Sequence, residues 1–120
     1  MEISRQFQIE AAHRLPNAPE GHRCRRLHGH SFSIRVTIRG EVKEPEGWVM
    51  DFASIDSALA PVMEALDHRF LNEIEGLENP TSEKLAIWIW EAVEGNLPQL
   101  HAVEVAETCR SAARYCGPTE

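Results

Sequence analysis

Four of the six histidines fall in the first quarter of the chain: His13, His22, His28 and His30. In His28-Gly29-His30 two imidazoles stand two residues apart, which on a strand puts both on one face. His13 closes an earlier stretch in which Ile3, Phe7, Ile9 and Ala11 share its parity. Suppose the two stretches pair antiparallel with His13 opposite His28. Ala11 then faces His30, Ile9 faces Phe32 and Phe7 faces Ile34. This single register aligns the apolar residues and gathers three imidazoles at one end. Three imidazoles suit zinc and leave a fourth position for substrate or water. The plain alternative is three unrelated core or surface histidines. A lone His-x-His is weak evidence, and the parity match with His13 is what favours the metal.

Cys24 lies four residues before His28, between Arg23 and Arg25-Arg26. Neighbouring guanidinium groups favour thiolate. Two readings compete: a fourth ligand that closes a structural zinc site, or a catalytic acid or base beside an open metal. Asp67-His68 has the residue types of a carboxylate–imidazole relay to a thiol. Adjacency alone fits a helix C-terminal His favoured by the dipole at least as well. Glu107 continues the apolar parity of Val103 and Val105. A carboxylate there is costly to bury without a partner, and adjacent N–H donors of a pterin or guanine edge would supply one. A strand-end Glu that reaches solvent is the alternative. Arg23, Arg25 and Arg26 suit phosphate oxygens, or are ordinary solvated charge. Cys109 and Cys116 read as small packing residues of the last strands. His101 and Glu41, Glu44 and Glu46 read as solvated surface.

The elements that must position these groups follow from periodicity. Ile3 to His13 alternates as a half-buried strand, with Ser4, Gln6, Gln8 and Glu10 between the apolar positions. Residues 14–27 hold Pro16, Pro19 and Gly21 and read as a long loop. His28 to Arg39 alternates again, longer and β-branched, and Gly40 to Gly47 is a turn region. Ile55, Leu59, Val62, Met63 and Leu66 then recur at helical spacing. Asp51 or Ser54 is the cap, and Pro61 is expected to bend the helix. Asn79-Pro80-Thr81-Ser82-Glu83 starts a second helix, with Thr81 or Ser82 as N-cap. Leu85, Ile89, Val93 and Leu97 form its buried face, and at least one of Trp88 and Trp90 belongs to the core. His101 to Cys109 and Ser111 to Cys116 are the last two strands. The order β-β-α-α-β-β is an α+β pattern with an antiparallel sheet. Two helices cover one sheet face, so the Ser/Thr/Arg face of the second strand must meet water or another subunit.

A length of 120 residues fits one domain, 1–120, with enough apolar side chains for a core. The net charge of −7 argues against nonspecific nucleic-acid binding. Yet residues 1–39 carry seven Arg against three Glu, a local anion site on an acidic protein. No run is long enough to span a membrane, and the first twelve residues lack a basic start with an apolar region. Three cysteines, an odd number, argue for free thiols over a disulfide framework. A cytoplasmic protein is expected.

These pieces in this order resemble the 6-pyruvoyltetrahydropterin synthase superfamily, and within it the bacterial branch of queuosine biosynthesis. The matching segments are Ala11-Ala12-His13-Arg14-Leu15, Gly21 through Ser31, Gly47-Trp48-Val49-Met50-Asp51-Phe52, Leu66-Asp67-His68, Gly76 through Glu83, and Val105-Ala106-Glu107-Thr108. They span nearly the whole chain. The resemblance implies a tunnelling fold, with a four-stranded antiparallel sheet and two helices on one face. Subunits of this kind close into trimers or hexamers with active sites at subunit boundaries. It implies zinc on His13, His28 and His30, and proton transfer by Cys24 with Asp67 and His68 as relay. It implies Glu107 as pterin anchor. The implied reaction takes 7,8-dihydroneopterin triphosphate to 6-carboxytetrahydropterin, acetaldehyde and triphosphate, with no organic cofactor. Two alternatives are a synthase stopping at the 6-pyruvoyl product and a non-enzymatic structural zinc module.

Overall fold

The computed structural model describes residues 1–108 and 110–119. Alternating strands and helically spaced runs form where the periodicity predicts them. β1 is Glu2–His13 and β2 is His28–Arg39. α1 spans Phe52–Leu66 and α2 spans Ser82–Val93. β3 is Leu100–Thr108 and β4 is Ser111–Tyr115. The four strands make one antiparallel sheet in the order β1-β2-β3-β4.

The β1–β2 register is the one the apolar parity demands. His13 pairs with His28, Ala11 with His30, Ile9 with Phe32 and Phe7 with Ile34, without a bulge from Glu2 to His13. A slip of one residue would turn the whole apolar set to the opposite face. On the correct face Phe32, Ile34, Val36, Val103 and Val105 are fully buried. They meet Ile55, Leu59 and Leu66 of α1 and Leu85, Ile89 and Val93 of α2 in one cluster. Both helices therefore lie on that face. Arg35 on the other face is exposed.

Capping decides where the helices begin. Asp51 accepts a hydrogen bond from the Ala53 N–H at 2.9 Å and starts α1. Thr81 accepts from the Lys84 N–H at 3.1 Å and starts α2. Each satisfies a donor the first turn leaves over. α1 continues through Pro61 to Leu66. Two details differ from the sequence reading. A 3-10 turn, Arg23–Arg25, interrupts the long loop, and a second, Leu71–Glu73, buries Leu71. Cys116 follows β4 rather than lying in it, and is exposed with the Arg114 guanidinium donating to its Sγ at 2.9 Å. It is thus no packing residue: Tyr115, the last residue of β4, turns its ring to Trp90 of α2, and Cys116 beyond it is left at the surface. Cys109 lies outside the described residues. Trp90 is buried and bonds Glu94, whereas Trp88 is half-buried.

Candidate active site

The end of β1 and the start of β2 bring His13, His28 and His30 together at one end of the core face. Their ligand atoms lie within 4.8 Å of one another. The ring centroids are 4.5 Å apart for His13–His28, 5.1 Å for His13–His30 and 4.8 Å for His28–His30. Two second partners fix the rings. His13 Nδ1–H donates to the Pro80 carbonyl at 2.9 Å, and His28 Nδ1–H to the Arg26 carbonyl at 2.7 Å. A carbonyl only accepts, so the proton sits on Nδ1 and Nε2 keeps its lone pair. His13 is fully buried, and its Nε2 has no hydrogen-bond partner. Burial, the dominant effect, holds the His13 imidazole below its ordinary pKa and so keeps it neutral. An orphaned buried nitrogen facing two more imidazoles is what a divalent metal would satisfy. The residues present fit that group.

Cys24 is not among those converging ligand atoms. It lines a cavity of 660 Å³ with Arg23, His28, His30, Glu107, Arg110 and Ser111. Its thiol thus stands outside the three-imidazole group, on a cavity that His28 and His30 also line. Glu107 reaches the cavity from the end of β3. Its Oε1 accepts from Ser82 Oγ–H at 2.8 Å, and its Oε2 stands 3.7 Å from His30 Nε2. Of the three loop arginines, Arg23 alone lines this cavity. Arg25 Nη1 donates to the Pro16 and Ala18 carbonyls, both at 2.8 Å, and ties the loop to itself. The sequence reading passed over Ser82, Arg110 and Ser111. Ser82 was visible as a helix-start residue, but its partner Glu107 is 25 positions away and only the fold joins them.

Asp67 and His68 are placed elsewhere in the chain. Asp67 ends α1 and accepts the Glu10 N–H at 2.9 Å, while His68 N–H donates to the Glu10 carbonyl at 2.6 Å. The pair thus runs along the outer edge of β1. His68 Nδ1 is 3.0 Å from Asp67 Oδ2, and the His68 side chain is 78% exposed. The hydrogen bond from the Glu10 N–H, chiefly, and the His68 side chain hold the Asp67 carboxyl below its ordinary pKa. His68 has a φ of 59°, a left-handed conformation unfavourable for a residue with a Cβ. His68 and Cys24 line different cavities that share only His30.

A sheet of this topology, with three clustered imidazoles at the strand ends and Cys24 and Glu107 lining the cavity beside them, defines an α+β domain of the tunnelling type. The profile of the 6-pyruvoyl tetrahydropterin synthase family matches residues 2–118, and the chain belongs to that family. It is 48% identical to the 6-carboxy-5,6,7,8-tetrahydropterin synthase of Synechocystis, over 97% of this chain and 93% of the relative. It is 47% identical to the dihydroneopterin monophosphate aldolase of Pyrococcus furiosus, over 60% of each chain. Among solved structures, the 6-pyruvoyl tetrahydropterin synthase of Caenorhabditis elegans superimposes with a TM-score of 0.91 at 28% identity. That match covers 98% of this chain and 96% of the other.

Proposed function

We propose that the chain is an enzyme that converts 7,8-dihydroneopterin triphosphate and one water to 6-carboxytetrahydropterin, acetaldehyde and triphosphate, as a step of queuosine biosynthesis. The observation that carries this reading is the orphaned Nε2 of His13, in a three-imidazole cluster that opens onto the cavity of Cys24 and Glu107. His13, His28 and His30 hold zinc, which when bound supplies Lewis-acid polarisation of side-chain oxygens. Glu107 accepts adjacent N–H donors of the pterin ring and sets its orientation, itself steadied by Ser82. Cys24, as thiolate, takes a proton from the substrate side chain and returns it. Arg23, with Arg110 on the same cavity, takes the triphosphate oxygens. Arg25 and Arg26 support that charge from the loop.

Asp67 and His68 relay the proton. Because they project from the β1 edge, they serve the Cys24 of a neighbouring copy, and the working unit is a trimer or hexamer built from 120-residue single domains. The outer strands of the sheet are β1 and β4; the end of β1 is bonded to residues 67–70, and the rest of the two edges suits such closure. Free thiols at Cys24 and Cys116 suit the reducing cytoplasm. No helix among the described residues is long and apolar enough to cross a membrane.

Incubation of the zinc-loaded protein with the triphosphate, coupled to alcohol dehydrogenase, should release one acetaldehyde per substrate, with the 6-carboxy product identified by mass. Triphosphate release without acetaldehyde would move the assignment to the 6-pyruvoyl reaction. The similarity to the Pyrococcus relative favours one second reading, aldol cleavage of the monophosphate, which releases glycolaldehyde phosphate and no inorganic phosphate. A parallel assay with the monophosphate separates the two.

A further inference from the structure

His22 is the one histidine of the N-terminal cluster outside the metal group. Its imidazole instead meets the backbone of Cys24: the Cys24 N–H donates to His22 Nδ1 at 3.1 Å. His22 is thereby the N-cap of the Arg23–Arg25 turn. The Cys24 carbonyl accepts the Leu15 N–H at 2.7 Å. Both backbone polar groups of Cys24 are held, one by the imidazole and one by the segment that leaves His13. The turn closes with Arg25 N–H on the His22 carbonyl and Arg26 N–H on the Arg23 carbonyl, each at 3.1 Å. The Arg26 carbonyl in turn takes His28 Nδ1–H. The turn that carries the thiol thus begins at His22 and ends at Arg26, whose carbonyl holds a member of the three-imidazole cluster.

A three-residue 3-10 turn has little stability of its own, since its hydrogen bonds are few and poorly aligned. His22, Arg23 and Arg25 are exposed, so no core packing holds the turn either. A group that moves a proton loses rate steeply when it is misplaced by an ångström. We infer that His22 is a positioning residue whose Nδ1 acceptor fixes the Cys24 peptide and with it the aim of the thiol at the metal cluster. The inference rests on the proposed role of Cys24 in proton transfer.

The test compares His22→Ala, which has no acceptor, with His22→Asn, whose side-chain oxygen caps the same N–H. Three readouts are taken on the zinc-loaded full chain: kcat and KM, bound zinc, and the iodoacetamide alkylation rate of the Cys24 peptide by mass spectrometry. His22→Ala should lower kcat by about tenfold or more, shift the alkylation rate, and leave KM and zinc content unchanged. His22→Asn should recover most of both losses. Unaltered kcat and alkylation in His22→Ala would overturn the inference, as would equal impairment of the two variants or loss of zinc. A Cys24→Ala arm keeps the two ideas apart. Retained turnover there sinks the proton-transfer role, while alkylation at Cys24 still judges whether His22 holds that residue.

Discussion

At the scale of single residues, Glu107 and His68 separate recognition from stability. Glu107 is half-buried, with one oxygen already bonded to Ser82. Glu107→Gln keeps an acceptor for Ser82 but turns a donor amide towards the ring N–H groups. Pterin affinity measured by calorimetry should fall by about 1.5–3 kcal/mol, the worth of hydrogen bonds to a charged acceptor. Thermal stability should stay the same. His68 is the converse case. Its left-handed backbone costs about 1 kcal/mol that a glycine would not incur. His68→Gly should therefore keep or slightly raise the denaturant midpoint while turnover falls, because the imidazole is gone. A variant that loses stability in step with activity would show that the side chain is structural.

At the scale of elements, the start of α2 is joined to the three-histidine cluster. Thr81 caps the helix, and the Pro80 carbonyl just before it orients His13. Thr81→Ala should cost about 1 kcal/mol of stability through the lost cap. It should also weaken zinc binding by about tenfold, since outer partners of a metal-binding imidazole carry that much. A chelator competition measures the second effect. pH acts on the same ring. The folded His13 titrates below its ordinary 6.5, so without metal its contribution is full above that value and is lost as pH falls through the folded pKa. The melting temperature of chelated protein should drop between pH 7.5 and 5. Asp67, also lowered, adds a further loss only below its ordinary 3.8.

The strands, the register of β1 on β2 and both helix starts were legible, each cap to within two candidates, because alternation and capping are local signals. Of the candidate site, the three imidazoles followed from that register. Cys24, Asp67 and Glu107 drew more from family resemblance than from spacing. The Ser82–Glu107 bond, the Arg25 clamp on the loop and the left-handed His68 were illegible. They depend on where distant segments meet, and no periodicity records that.

At the scale of the whole molecule, one sheet face is covered by helices and the other carries Gln6, Gln8, Ser33, Arg35 and Glu104 around an open cavity. The thiol lies towards one side and the Asp67–His68 pair on the β1 edge. If neighbouring copies complete each other, two inactive variants should cooperate. Cys24→Ala and His68→Ala, unfolded together and refolded as mixed oligomers, should regain a measurable fraction of turnover, while each alone stays inactive. Sedimentation should give three or six chains per particle. A mixture as inactive as its components would place the whole relay within one chain.

The three clustered histidines stand on a ladder whose length cannot change, because one inserted residue turns every later side chain to the opposite face. The thiol stands on the connection between positions 13 and 28, which tolerates insertion as loops do. Heredity therefore treats the two halves of the site unequally. A lineage that lengthens or shortens this connection inherits the three imidazoles intact and meets the same substrate with its thiol in a new place. New reactions can arise by descent on this scaffold at the cost of a few codons in one loop.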